Sequence, residues 1–202
     1  MSYAQSGTDL AINRLFPYDY KGIYVDVGCS FPIIGSNTFL FYEKGWRGIC
    51  IDPVKSCIQA HKLIRPEDTQ IQCCVGNVDG SVVFYECEDT TLSTFIIQEI
   101  EKRKLSGKKI GPSYEIKMFK LDTILKDIDH KSIDLISIDV EGAELDVLLG
   151  YSNLAAKVLV IEACEPCTEN SSYHEWEYLL IDNNYRYFQT CGVNRIYRKE
   201  KS

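Results

Sequence analysis

Short apolar runs alternate along this chain with segments of helical spacing. Strands of a parallel sheet that is covered on both faces have such continuous apolar sequences, rich in valine and isoleucine. The intervening segments repeat apolar residues every three or four positions, as amphipathic helices do. This order predicts an α/β fold whose parallel strands are joined by right-handed crossovers. The five runs are Ile23–Val25, Gly48–Ile51, Ile71–Val75, Ile133–Ile138 and Val158–Ile161.

The connections between these runs contain three predicted helices. One begins near Phe39, the second covers Cys57–Ile64, and the third covers Glu144–Leu149. In the third, the spacing of the leucines places them on one helical face. Near the C-terminal end the pattern changes, and strict alternation over two short segments predicts an antiparallel pair. This last part predicts a helix and two strands at Ser172–Ile181, Tyr185–Thr190 and Val193–Arg198.

Two segments depart from the alternation of strand and helix. Gly80–Glu86 follows the third apolar run after a turn, which predicts a local β-hairpin rather than a helix. Asp89–Tyr114 has no clean period. Within it we expect a helix near Phe95–Arg103 and then a loop that contains Gly107–Pro112. Long segments of this kind often cover a functional site.

The composition fits one globular domain over residues 1–202. The chain has 45% hydrophobic and 25% charged residues, and no change in composition marks a second domain. The net charge of −7 argues against general nucleic-acid binding, which depends on neutralising phosphates. The basic cluster at Glu101–Lys109 is predicted to be a solvated loop. No apolar stretch approaches the roughly 18 residues of a membrane span.

Cysteine usage predicts a reducing compartment. The nine cysteines are an odd number, and the first residues lack the basic and apolar parts of a secretion signal. We therefore expect a cytoplasmic protein. Cys164 and Cys167 form a CxxC pair, but no second pair completes a zinc site, so the sequence predicts no metal site built on thiols.

Four of the apolar runs end at an acidic residue. Because the carboxyl ends of parallel strands form the ligand-binding edge of an open sheet, these acids are expected to line one crevice. Like charges there raise one another's pKa unless cations or hydrogen-bond donors compensate them. Each acid could instead cap the following helix, a reading that Pro53 makes most plausible for its neighbour Asp52. The acids are Asp26, Asp52, Asp139 and Glu162.

The turn after Asp26 narrows the choice of ligand. Gly28 allows the backbone to approach a ligand closely, but the G-x-G-x-x-G pattern that seats a pyrophosphate is absent. Asp52 lies 24 positions after Gly28, near where an acidic residue binds the ribose hydroxyls of a nucleoside. A nucleoside without a pyrophosphate indicates S-adenosylmethionine, whose sulfonium and amino groups also supply positive charge.

Several blocks of the chain resemble the FkbM family of S-adenosylmethionine-dependent methyltransferases, in order and in spacing. The resemblance implies a Rossmann-like class I methyltransferase fold, with a seven-stranded, mostly parallel sheet, one antiparallel strand, and helices on both faces. It also implies O-methylation of a hydroxyl on a sugar, glycoconjugate or secondary metabolite. The most specific blocks are SNTFLFYEKGWRGICIDP at Ser36–Pro53 and IDVEGAELDVLLG at Ile138–Gly150, supported by GIYVDVGCS, TLSTF and KLDTIL.

The resemblance also implies roles for individual residues. Asp26, Gly28 and Asn37 would hold the methionine part of the cofactor, with Asp139 beside them. Asp52 would bind the ribose diol. The adenine would be flanked by Val75, Gly76 and Asn77. Gln5 and Asp9, from an opening that resembles the family's, would either fold over the cofactor or support the N-terminal segment.

Transfer of a methyl group to a hydroxyl requires alignment, which can supply roughly 7–11 kcal/mol, and a base, which adds about 10²–10⁴-fold. Asp139 and Glu141 are the first candidates for the base, and both would face the cleft if strand geometry continued through them. Glu162 is the third candidate. The three carboxylates could instead hold Mg²⁺.

Other functions stay open at this point. The acceptor is expected to be a small molecule or a glycan, and methylation of nucleic acid or protein is the alternative. The Asn/Asp-Pro-Pro-aromatic pattern of base N-methylation is absent where DVEG stands. A non-catalytic nucleoside-binding module is a further alternative. His174 is predicted to be an exposed helix residue, and acceptor specificity is expected in Asp89–Tyr114 and Pro166–Trp176.

Overall fold

A computed structural model describes residues 1–163 and 176–200, and the predicted features at Cys164, Cys167 and His174 lie outside these ranges. The strands in the described ranges are β1 (Ile23–Val27), β2 (Arg47–Ile51), β3 (Thr69–Ile71), β4 (Cys74–Val75), β5 (Gly80–Cys87), β6 (Ile110–Phe119), β7 (Ile133–Ile138), β8 (Val158–Glu162), β9 (Tyr185–Cys191) and β10 (Asn194–Lys199). The α-helices there are α1 (Thr8–Asn13), α2 (Phe39–Glu43), α3 (Lys55–Ile64), α4 (Ile97–Leu105), α5 (Leu121–Ile124), α6 (Glu144–Leu149) and α7 (Glu177–Asp182).

Four of the five predicted apolar runs form β2, β1, β7 and β8 of a seven-stranded, mostly parallel sheet in the order β3-β2-β1-β7-β8-β10-β9. The run Ile71–Val75 is not one strand, because Ile71 ends the edge strand β3 and Cys74–Val75 form β4 of a second sheet. Neighbouring strands from β3 to β8 are parallel, whereas β10 pairs antiparallel with both β8 and β9. All six residues of β7 are buried, as expected for a central strand covered on both faces. The predicted antiparallel pair near the C-terminal end is confirmed as β9 and β10.

Helices cover both faces of this sheet. On one face, Ile136 of β7 packs in a core with Val147 of α6 and Leu180 of α7. On the other face, the adjacent Leu135 packs in a core with residues of α1, α2 and α3, including Phe41 and Ile58. Alternate residues of one strand thus serve the two cores, and burying each such side chain contributes about 1.5–3 kcal/mol.

A second sheet of three strands corrects the predicted hairpin. Gly80–Cys87 is a strand, but its partner is β6, which lies between β4 and β5 in the order β4-β6-β5. The predicted loop over Gly107–Pro112 is also wrong in part, because β6 begins at Ile110. Pro112 is tolerated there because β4 pairs only with Met118 and Phe119, so no second strand needs the missing N–H.

Arg65, which follows α3, ties this helix to the loop between β1 and α2. Its fully buried guanidinium donates hydrogen bonds from Nε to the Pro32 carbonyl at 2.9 Å, from Nη1 to Thr38 Oγ1 at 2.8 Å and from Nη2 to Ser36 Oγ at 2.6 Å. Thr38 Oγ1 in turn donates to Asp26 Oδ2 at 2.5 Å. A buried cation without such partners would be strongly destabilising.

We predict that Arg65→Met lowers the free energy of unfolding by about 3–5 kcal/mol, because it removes the positive charge from the buried acids beside it. Urea denaturation followed by circular dichroism measures the change. Lys62→Met is the matched control, since Lys62 is exposed in the last turn of α3, three residues before Arg65, and carries the same charge. Equal stabilities for the two variants would show that the Arg65 contacts contribute nothing.

Candidate functional site

A cavity of about 430 Å³ opens at the carboxyl ends of the central parallel strands. The structure brings all four strand-end acids to its wall: Asp26 within β1, Asp52 after β2, Asp139 after β7, and Glu162 at the end of β8. Their meeting follows from the topology, because the ends of neighbouring parallel strands share one edge. The cavity is therefore the candidate site.

Gly28 allows the chain to turn sharply at the end of β1. Its φ is +76°, and a Cβ at this position would lie 1.7 Å from the carbonyl oxygen of Asp139. The Gly28 and Cys29 amides both donate to the Ile51 carbonyl, at 2.9 and 3.1 Å. These contacts hold the ends of β1, β2 and β7 together, and any side chain at Gly28 would force them apart.

Asp26 and Asn37 form the inner wall of the cavity. The Asp26 carboxylate is buried beside Thr38, and burial raises its pKa while Arg65 and the Thr38 hydroxyl oppose that shift. Asn37, just before α2, donates from Nδ2 to Ser137 Oγ at 3.2 Å. Ser137 belongs to β7, so this bond joins the α2 loop to the central strand and fixes the amide at the cavity wall.

Asp52 both lines the cavity and organises the start of α3. Its Oδ2 accepts from the Ser30 amide at 2.9 Å, and its Oδ1 accepts from the Val54 amide at 2.8 Å. Burial raises the pKa of Asp52 to about 6, while these two amide donors lower it. Asp52 can therefore hold the amides before α3 and still bind a ligand, because a carboxylate offers about four lone pairs.

Three carboxylates cluster on the other side of the cavity. Asp139, Glu141 and Glu162 each offer an oxygen, and these atoms all lie within 4.8 Å of one another. Burial raises the pKa of Asp139 to about 6, while a hydrogen bond shared with Glu162 opposes the shift and the charge of Asp26 adds to it. Burial, followed by the charge of Asp139, raises the pKa of Glu141 to about 8.

The expected strand geometry through Glu141 is wrong, because β7 ends at Ile138. Glu141 adopts φ +58°, and Gly142 follows with φ +103°. A left-handed conformation costs a non-glycine residue of order 1 kcal/mol, and Glu144 helps to hold the turn by accepting from the Val140 and Gly142 amides at 3.3 and 3.2 Å. Glu141 reaches the cavity through this turn.

Of the three residues expected around adenine, the structure brings only Val75 to the cavity wall. Gly76 is buried, its amide donates to the Phe119 carbonyl at 3.1 Å, and an added Cβ would lie 2.6 Å from the sulfur of Met118. Asn77 is exposed and donates from Nδ2 to Asp146 Oδ1 at 2.7 Å. Gly76 therefore packs against β6, and Asn77 ties the end of β4 to α6.

The N-terminal segment also reaches the cavity. Gln5 lines the wall from a 3₁₀ turn, and Asp9 is buried behind it. Asp9 accepts from the Tyr3 amide at 2.7 Å and from Ser2 Oγ at 2.5 Å. Asp9 thus anchors this segment, whereas Gln5 faces the site.

The roof of the cavity lies in the segment where acceptor specificity is expected, whereas its support includes a residue that the sequence interpretation missed. Thr90–Phe95, within the unpatterned segment, lines the cavity. The helix expected near Phe95–Arg103 is α4, which extends to Leu105, so the prediction of a solvated loop at Glu101–Lys109 is wrong in its first half. Arg103 itself is not solvated, since its side chain is fully buried and pairs with Glu141 at 2.7 Å. A signal was present, because Ile100 and Arg103 are three positions apart on one helical face.

The charges around the cavity are one-sided. In the described parts of the chain, its lining includes five acidic side chains and no lysine, arginine or histidine. Residues 164–175 contain no lysine or arginine in their sequence. A cationic or uncharged polar ligand suits such a lining, and an anion does not.

None of the helices in the described ranges has the length and apolarity that a membrane crossing requires.

Comparisons with known proteins show what this chain is similar to in fold and in family. In fold, the chain is similar to a crystal structure titled methyltransferase FkbM from Methylobacillus flagellatus KT, with a TM-score of 0.57 and 18% identity, over 93% of this chain and 47% of that one. This chain thus spans about half the length of that protein. No curated protein matches the chain. The family model of the methyltransferase FkbM domain matches residues 26–187, so the chain belongs to the FkbM methyltransferase family.

Proposed function

We propose that residues 1–202 form one methyltransferase domain that uses S-adenosylmethionine to methylate a hydroxyl of a sugar, glycoconjugate or secondary metabolite. The observation that carries the proposal is the meeting of carboxylates from four neighbouring strand ends around one cavity beside Gly28. The strand order and the antiparallel β10 support a Rossmann-like class I fold. The free, buried cysteines among the described residues support a reducing, cytoplasmic location.

The lining fits the cofactor at one end of the cavity. Bound S-adenosylmethionine supplies a methyl group that its sulfonium has already activated. Asp26, Gly28 and Asn37 would hold the methionine part, with Asp139 beside them, and the close approach at Gly28 leaves no room for a side chain. Asp52 would bind the ribose hydroxyls with the lone pairs that its amide partners leave free. For adenine, the proposal rests on Val75, since Gly76 and Asn77 make other contacts.

Glu141 is our choice for the general base. The backbone carbonyl of Asp139 lies against Gly28, and the charge of Asp26 raises the pKa of Asp139. We therefore propose that Asp139 belongs to the cofactor end of the cavity. Glu141 lies on the side of the roof segment Thr90–Phe95, and its raised pKa makes it a stronger proton acceptor. Glu162, close to both, would accept a hydrogen bond from a second hydroxyl of the acceptor, since the proton of the reacting hydroxyl goes to Glu141, and would keep the acceptor aligned.

If Mg²⁺ were bound here, the carboxylates of Asp139, Glu141 and Glu162 would supply its oxygen ligands. The Arg103 guanidinium, however, already pairs with Glu141 at 2.7 Å and would repel a cation. We therefore propose transfer that relies on the carboxylate base without a metal.

The proposal is tested by measuring methyl transfer from labelled S-adenosylmethionine to a panel of neutral, amino and phosphorylated sugars. We expect neutral or amino sugars to be methylated and phosphorylated ones to be rejected, because the lining is acidic. Activity should survive dialysis against EDTA. Cofactor binding in calorimetry without transfer to any acceptor would favour a nucleoside-binding module. Methyl transfer to nucleic acid or protein would favour the alternative substrates. Activity that is lost on chelation and recovers when Mg²⁺ is added would assign the carboxylates to a metal.

We predict that Asp52→Asn raises the Kd for S-adenosylhomocysteine at least about tenfold, because hydrogen bonds to a charged acceptor contribute roughly 1.5–3 kcal/mol. Isothermal titration calorimetry measures the constant. Glu115→Gln, an exposed carboxylate on β6, serves as the control for the same change of group. An unchanged Kd for Asp52→Asn would remove this residue from the ribose site.

We predict that Glu141→Gln lowers kcat about 100-fold while the Kd for the cofactor stays nearly constant, because the amide cannot accept the hydroxyl proton. In the unmodified enzyme, kcat/KM should rise with pH through about 8, since the base works only when deprotonated. Steady-state kinetics across pH 6–10 checks both points. A variant that keeps the rising limb would exclude Glu141 as the base.

A further inference from the structure

Arg103 stands out from the basic cluster in which it lies. Its side chain is fully buried, whereas Lys102 and Lys104, its neighbours on α4, are exposed. Removing a guanidinium from water is costly unless charged and polar partners replace the solvent. The position of these partners therefore shows what the residue holds in place.

The guanidinium of Arg103 joins three separate pieces of the site. Nη2 donates to Glu141 Oε2 at 2.7 Å, on the loop after β7. Nη1 donates to the carbonyl of Leu92, within the roof segment Thr90–Phe95. Nε is buried and has no hydrogen-bond partner. Since α4 follows the roof segment along the chain, Arg103 ties the roof and its helix to the wall that carries Glu141.

Glu141 depends on such a partner for two reasons. Its backbone occupies the left-handed region at φ +58°, so its placement relies on contacts from other elements. Four acidic residues face the Glu141 carboxylate. Asp139 lies on the same loop, and the other three lie on different elements: Glu162 at the end of β8, Glu144 on α6, and Asp89 before the roof segment. Burial, followed by the charges of Asp139, Glu144 and Asp89, raises the pKa of Glu141, and Arg103 opposes that shift.

We propose that Arg103 is a positioning residue for methyl transfer, which fixes Glu141 at the acceptor side of the cavity and closes the roof segment against it. This role rests on the proposed function, in which Glu141 accepts the proton. Arg103 does not line the cavity and is not a catalytic residue, so it acts through Glu141 and the Leu92 carbonyl.

The test compares Arg103→Gln and Arg103→Lys with Lys104→Gln, which removes the same charge from an exposed site on the same helix. Arg103→Gln should lower kcat at pH 7.5 by about 10–100-fold, within the range of a misplaced base, with little change in the cofactor's Kd. The rising limb of kcat/KM should move to higher pH, because loss of a positive neighbour favours the protonated carboxyl. Arg103→Lys keeps the charge, so the limb should return toward its original pH while kcat stays reduced.

A second measurement does not depend on turnover. Amide hydrogen exchange over Thr90–Leu105 should become faster in Arg103→Gln and in Glu141→Gln, and stay unchanged in Lys104→Gln, because only the first two break the tie. Circular dichroism confirms that each variant folds. Should Arg103→Gln unfold, the Arg103→Lys variant provides both measurements.

The outcomes separate the two proposals. An unmodified enzyme that transfers no methyl group overturns the proposed function, and the role of Arg103 falls with it, whatever the exchange data show. An active enzyme whose Arg103 variants keep their kcat, pH profile and exchange rates overturns the role of Arg103 alone. Faster exchange with unchanged kinetics also overturns it, since Arg103 would then be a structural residue only.

Discussion

Repulsion between carboxylates is the constraint on which the rest of this site depends. Parallel strands bring Asp26, Asp52, Asp139 and Glu162 to one edge, and the turn after β7 adds Glu141. Like charges in a partly dry cleft raise one another's pKa and destabilise the fold. Hydrogen-bond donors that lie behind the cavity wall compensate these charges. The acidic side chains themselves still face the cavity. The acidic lining of the cavity therefore favours a cationic ligand over an anionic one.

Two buried arginines carry much of this compensation from opposite ends. Arg65 supports Asp26 through the Thr38 hydroxyl, at the proposed cofactor end. Arg103 pairs directly with Glu141, at the proposed acceptor end. Neither lines the cavity, so each stabilises an acid without neutralising the surface that a ligand would meet. Asp52 relies on backbone amides instead.

Sequence reasoning succeeded where a local pattern reports local burial. The apolar run Ile133–Ile138 is the fully buried central strand, and the alternating segments near the C-terminal end are the antiparallel strands β9 and β10. It failed where the partner is distant in the chain. Gly80–Cys87 alternates as a strand, but nothing in its spacing indicates that β6, about 30 residues later, is its neighbour. The turn before Gly80 predicts a local hairpin, because a turn indicates pairing with the strand just before it.

The sequence by itself determined the α/β class, the family blocks and the acids at the ends of the strands, because periodicity and contiguous motifs are local properties. Only the tertiary structure decided that Arg103 is buried against Glu141 and that Glu141 reaches the cavity from a left-handed conformation. It also decided that Asn77 donates to Asp146 and does not line the cavity. The physical reason is the same in each case. Periodicity can place a charged residue on a helical face, but whether that residue is buried depends on segments that folding brings together from far along the chain.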